Sequence, residues 1–156
     1  MLSQRITPLL IALLTAWLVT GCGPAQDPAD VAFVAAFKKA HADNDTEALF
    51  ALYHTEGVPK PLLETLQRNL AFEIEDSIAE AQVVRLDPQA AAEALERSRP
   101  EDPTARPNLD PLAFLEVHYD VPEQRRSTFL LGRLSNGDWR ILMFAVGPGD
   151  ASNAPE

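Results

Sequence analysis

The chain has 156 residues, with 13 Lys and Arg against 23 Asp and Glu, for a formal net charge of −10. A surface of that sign repels phosphate backbones and anionic head groups, which argues against nucleic acid as a partner and against electrostatic attachment to membranes. The single cysteine, Cys22, excludes an intrachain disulfide or a paired-thiolate metal site. The absence of G-x-S-x-G, H-E-x-x-H and a glycine-rich phosphate loop leaves serine-hydrolase, zincin and nucleotide-dependent chemistry without a motif.

The N-terminal residues read as an export segment. Arg5 and the amino terminus make a thin positive region, Ile6–Thr20 an apolar run, and Thr20 and Gly21 a small-residue approach to Cys22. The run contains Pro8 and is shorter than the roughly 20 residues that cross a bilayer core, so a cleaved signal peptide over 1–21 is expected instead of a membrane span. Val19-Thr20-Gly21-Cys22 resembles the lipobox of bacterial lipoproteins. That resemblance implies cleavage after Gly21 and acylation of Cys22, which makes the lipid bilayer the first partner of the chain. Two or more acyl chains anchor stably where one is marginal, at about 0.8 kcal/mol per buried CH₂. Residue 23 is glycine where enteric lipoproteins retained in the inner membrane carry aspartate, so the outer membrane is the implied site in an organism that has one.

Residues 22–26 form a tether whose four residues after Cys22 reach at most ~14 Å. A single domain is expected over 27–146. Asp27-Pro28 supplies a cap and first position for a helix with Val31, Phe33, Val34, Phe37 and Ala40 inward and Lys38-Lys39 in its last turns. Asn44 and Glu47 have capping-box spacing for a second helix that carries Leu49, Leu52 and Tyr53 inward. A third helix is expected from Pro61 to Glu75, with Leu63, Leu66, Leu70 and Ile74 on one stripe.

The pattern then turns to strands. Ser77–Leu86 reads as a strand, Asp87-Pro88 opens a short helix to Arg97, and Arg99–Pro107, with three prolines, reads as a loop. Leu112–Asp120 is a strand. Arg126–Leu134 and Asp138–Val146 form a hairpin through Asn136-Gly137, a dipeptide suited to the type I′ turn. Both faces of the last strand are apolar, so the sheet's second face is expected to be covered as well or to curve around something. Residues 147–156 are expected to be a disordered tail. Helices followed by mostly antiparallel strands indicate an α+β fold, with the helices packed on one face of a sheet of about four strands.

Phe37, Ala40, Asp45, Ala48, Leu49, Leu52 and Tyr53, together with the closing strand, strand, Asn-Gly, strand run, resemble the NTF2-like (SnoaL-like) family. The resemblance implies an NTF2-like/cystatin-like cone, in which helices close on a curved sheet and leave a pocket. The long Pro61–Glu75 stretch and the Asp87–Pro107 insert depart from that pattern. The family hosts enzymes and binding modules alike, so it transfers no function.

Polar candidates are few. Glu116, His118 and Asp120 share one strand face at period two, where carboxylates flanking an imidazole orient a base; the competing reading is a solvated face opposite Leu115, Val117 and Tyr119. Tyr53 and His54 offer donors at a pocket mouth, against the reading of His54, like His41, as a helix-end histidine favoured by the dipole. Asp43-Asn44-Asp45 begins like a calcium loop, but Ala48 and His54 stand where glycine and glutamate belong. Glu73, Glu75, Asp76 and Glu80 read as a solvated acidic helix end. No metal and no cofactor is expected. The reading these residues favour is a non-catalytic envelope lipoprotein that binds a small molecule or an envelope protein. The alternative is a pocket enzyme using histidine/carboxylate acid-base chemistry.

Overall fold

An aspartate followed by proline starts two of the four helices. In the computed structural model, which describes residues 27–123 and 125–146, α1 spans Pro28–Ala42. Asp27 Oδ1 accepts the Ala29 N–H at 2.9 Å, and Pro28 brings a helical φ to a position whose N–H has no intrahelical partner. The sequence-predicted signal peptide, tether and tail lie outside the described residues. Phe33, Phe37, Ala40 and His41 form the buried stripe of α1. Val31, expected inward, is 51 % exposed, because it sits about 160° around the helix from Phe33.

The connection to α2 (Thr46–Phe50) corrects the expected capping box. Asn44 lies at φ +53°, its N–H bonds the His41 carbonyl at 3.1 Å, and the Asp45 N–H reaches back to the Ala40 carbonyl at 2.8 Å. This is a Schellman closure of α1, with Asn44 taking the left-handed position. Asp45, not Asn44, then caps α2 by accepting the Ala48 N–H at 2.8 Å. The same aspartate-proline device opens α4 (Pro88–Ser98), where Asp87 accepts the Ala90 N–H at 2.8 Å. Between them α3 covers Lys60–Glu73, one residue earlier and two shorter at its end than expected.

Four strands, β1 (Ile78–Arg85), β3 (Ala113–Tyr119), β4 (Arg126–Arg133) and β5 (Trp139–Ile141), form an antiparallel sheet in the order β1-β3-β4-β5. The fold is α+β, and the sheet is open, not closed into a barrel. Two sequence expectations change here. The last residues of the stretch read as a loop form β2 (Ala105–Pro107), and the strand expected over 138–146 breaks after Ile141, so that β6 (Phe144–Val146) leaves the sheet and pairs with β2. The Asn136-Gly137 hairpin forms, but only Gly137 has positive φ (+90°). Gly137 N–H bonds the Leu134 carbonyl and Leu134 N–H the Asp138 carbonyl, both at 2.9 Å. That is a three-residue loop with a left-handed glycine, not a type I′ turn.

Both faces of the sheet are covered, as its two-sided apolar strands require. Leu115, Val117, Tyr119, Leu131 and Ile141 pack against Phe37 of α1, Leu49 of α2 and Leu70 of α3. On the other face, Ala94 of α4 meets Leu130 and Leu142, flanked by Leu109, Phe114 and Phe144. The 109–110 backbone crosses β4 at Gly132, where a Cβ would stand 2.5 Å from the Leu109 Cβ.

A polar junction joins α1 to three strands. Asp27 accepts from Arg85 at 2.8 Å and from Arg133, while Asp30 Oδ1 accepts from Arg85 and from the Trp139 indole N–H, each at 2.7 Å. The two guanidinium carbons lie 4.5 Å and 4.4 Å from the Trp139 ring centroid. The Ala29 N–H first, then Arg133 and Arg85, hold the Asp27 carboxyl below its ordinary range.

Asn44 carries the first prediction. A left-handed φ costs a residue with a Cβ about 1–2 kcal/mol, a cost asparagine relieves and glycine escapes. Asn44→Ala is expected to lower unfolding stability by about 1 kcal/mol and Asn44→Gly to leave it equal or higher. Urea unfolding of the three proteins checks the order.

Candidate functional site

Among the described residues, a cleft of about 910 Å³ wraps around the edge of β4. Leu62, Leu66 and Leu70 of α3 form one wall. Phe114, Leu130, Ala94 and the end of α4 form another, and Ile141 to Phe144, where β5 turns into β6, close the end. The spacing of Leu62, Thr65, Leu66, Asn69 and Glu73 puts all five on one face of α3, toward the cleft. Polar side chains are the minority of the lining: Tyr53, Thr65, Asn69, Glu73, Arg97, Ser98, Glu116 and Thr128. Leu62, at the rim, is 49 % exposed.

Asn108 builds the end wall. Its N–H bonds the Met143 carbonyl and its Oδ1 accepts the Met143 N–H, both at 2.9 Å. Its Nδ2 donates to the carbonyls of His54 and Glu56. One side chain thus joins three segments and draws the chain off the sheet at Met143. No local pattern marks Asn108 in the sequence, since its partners lie 35 and 54 positions away.

The sequence candidates divide. Tyr53 and Glu116 both line the cleft. Glu116 accepts from Gln82 Nε2 at 3.1 Å, and burial, with Glu73 nearby, pushes the Tyr53 hydroxyl well above its usual range and keeps it protonated. His54 does not enter the cleft. α2 ends at Phe50, so His54 is no helix-end histidine; its N–H bonds the Ile141 carbonyl at 2.9 Å beside an isolated parallel bridge between Tyr53 and Ile141. The two neighbours in extended chain point to opposite sides, which separates the expected Tyr-His pair. The nearest carboxylate oxygen to His54 Nε2 is that of the exposed Glu56, at 3.7 Å. His118 lines a separate shallow recess with Asp120, Pro122 and Arg126, facing Arg126 and Glu80 across the strands. The alternation on β3 is as read, with Leu115, Val117 and Tyr119 buried and Glu116 and His118 on the other face.

The acidic helix end is not wholly solvated. Glu73 accepts the Tyr119 hydroxyl at 2.7 Å, and Asp76 pairs with Arg125, whose guanidinium carbon lies 4.3 Å from the Tyr119 ring centroid. Among the described residues, no three His, Cys, Asp or Glu side chains gather to hold a metal ion.

His41 corrects the dipole reading. It lies in the last turn of α1 but is only 5 % exposed, 4.9 Å from the Phe37 ring and 6.2 Å from that of Tyr119. Among the described residues neither ring nitrogen has a hydrogen-bond partner. Burial pushes its pKa down against the pull of Glu73 and Asp76, with Arg125 adding to the downward push. The folded chain therefore holds a neutral ring, while the unfolded chain takes a proton near the ordinary value of 6.5. Stability is complete above that pH and falls as pH drops through it. Between pH 7.5 and 5.5 the wild type is expected to lose more stability than His41→Phe, by urea unfolding. Equal losses would show that the ring accepts a proton in place.

Compared with protein-family models and with curated proteins, the chain matches none.

Proposed function

We propose that this chain is a lipid-anchored envelope protein whose domain, of the NTF2-like kind, is a non-catalytic binding module, and that the cleft beside β4 is its binding site. The observation that carries the reading is the composition of that cleft. Its walls are leucine, phenylalanine and methionine side chains, and its volume falls in the roughly 300–1,000 Å³ range of ligand pockets. The histidine/carboxylate alternative needs an imidazole and a carboxylate aimed at one point. Neither His54 nor His118 lines the cleft, which removes the geometry the enzymatic alternative relies on.

The anchor agrees with this placement. Asp27, five positions after Cys22, is held at Arg133, the last residue of β4. Thr128, in the cleft, lies about 17 Å back along the same strand. The tether thus attaches at one end of β4 and the cleft opens beside the other. The domain rides close to the bilayer and keeps its cleft clear of the attachment point.

Two measurements test the two halves of the reading. Wild-type protein should be processed, incorporate labelled fatty acid and enter the detergent phase on phase separation, whereas Cys22→Ser should stay unprocessed and unlabelled; a wild type that takes up no label overturns the anchor. For the cleft, the chain from Gly23 onward should enhance the fluorescence of 1-N-phenylnaphthylamine, an uncharged apolar probe. Leu62→Glu, a change at an exposed rim position, should weaken that binding at least about fivefold, the loss expected when a charge must be desolvated against an apolar ligand. Unchanged affinity overturns the cleft as the site.

A further inference from the structure

The cleft is not only apolar; it straddles an unfinished strand edge. β5 pairs with β4 over Leu131–Arg133 alone, and the last bond along that line is Leu142 N–H to the Leu130 carbonyl, at 2.9 Å. At Met143 the chain departs, drawn off by Asn108 and by the pairing of β6 with β2. The first half of β4 is left without a neighbour on that side among the described residues.

The direction of its backbone groups follows from the ladder. Tyr119 N–H bonds the Arg125 carbonyl, so the odd residues of β4 turn their polar groups toward β3. The even residues turn theirs the other way, as the Leu130 carbonyl does toward Leu142. Thr128 therefore presents both its N–H and its C=O to the cleft, and Arg126 continues the same edge.

From this we infer that the occupant is an extended peptide segment of another envelope protein, which adds to β4 as an antiparallel strand along the line that β5 abandons. The inference rests on the cleft being the binding site. Added strands gain affinity from main-chain hydrogen bonds and specificity from pockets for alternate side chains. The cleft has walls for both sets: Leu66 and Phe129 on the inner side of the β4 edge, Phe114 and Leu130 on the outer. An acyl chain would fill the walls and offer nothing to the Thr128 backbone.

The segments of this chain that remain outside the domain after the proposed cleavage at Gly21 do not fit. Residues 147–156, Gly-Pro-Gly-Asp-Ala-Ser-Asn-Ala-Pro-Glu, have no large apolar side chain for either wall. The tether residues 23–26, Gly-Pro-Ala-Gln, likewise have no large apolar side chain for either wall. A folded sheet edge of a second copy is kept out by α3 and α4, which flank the site. A single flexible strand with alternating apolar residues passes between them.

The test uses lipidated full-length protein in nanodiscs and a fluorescein-labelled peptide, Lys-Val-Thr-Phe-Thr-Val-Lys, with empty nanodiscs as blank. A second peptide of the same sequence carries N-methyl groups on Phe and on the Thr that follows it, which blocks both strand edges and leaves the side chains unchanged. Expected are saturable anisotropy with the first peptide, at least tenfold weaker binding of the second, and slowed hydrogen exchange at the Thr128 amide with the first alone. Equal binding of both peptides, weakened by Leu62→Glu, would overturn strand addition and leave the apolar cleft standing. No binding of either would also overturn it, and the cleft would then be judged by the naphthylamine probe alone.

Discussion

Trp139 is the point on which this structure turns. Its side chain is essentially fully buried, yet its indole N–H must find an acceptor, and Asp30 on the first turn of α1 supplies it. Asp30 and the cap Asp27 are then held by Arg85 of β1 and Arg133 of β4, whose guanidinium groups also lie over the indole. Each partly exposed ion pair is worth little by itself, and the Nε of Arg133 is left buried without a partner among the described residues. The junction's value is geometric. It sets where α1 begins and which strands it crosses.

From that junction the other end of β4 follows. β5 starts at Trp139 and stays in the sheet for three residues. Asn108 then takes both backbone groups of Met143, and the chain that sequence periodicity would keep beside β4 crosses to β2 instead. Peeling a strand from an edge exposes its neighbour's amides and carbonyls and separates apolar surfaces that would otherwise touch. The cleft is the consequence, and its chemistry is that of its makers: largely apolar walls from the strand faces and α3, with an unpaired strand edge between them.

The charged and titratable groups are occupied elsewhere. Glu73, Tyr119, Asp76 and Arg125 form a chain of contacts at the end of α3 that surrounds the neutral His41. His54 sits outside the cleft by alternation, next to an inward Tyr53, whereas His118 shares the face of Glu116 but lies two residues further along β3, past the cleft.

Local chemistry was readable from the chain. Asp27-Pro28 and Asp87-Pro88 announce two helices because a cap and an N1 proline act on adjacent residues, and the alternation from Ala113 to Tyr119 names its buried face directly. Asn136-Gly137 marks the hairpin, and the lipobox-like tetrapeptide is an entirely linear signal. What the sequence could not settle rests on distant partners. Asn44 and Asp45 trade roles because a helix end and a helix start compete for adjacent residues, and only the geometry of both helices decides between them. The three-residue strands β2 and β6 are too short to show a period and exist only because each finds the other some forty residues away. The cleft and its open edge follow from that pairing and from Asn108. Hydrogen bonds across such separations leave no periodic trace in the sequence, so the cleft belongs to the tertiary structure.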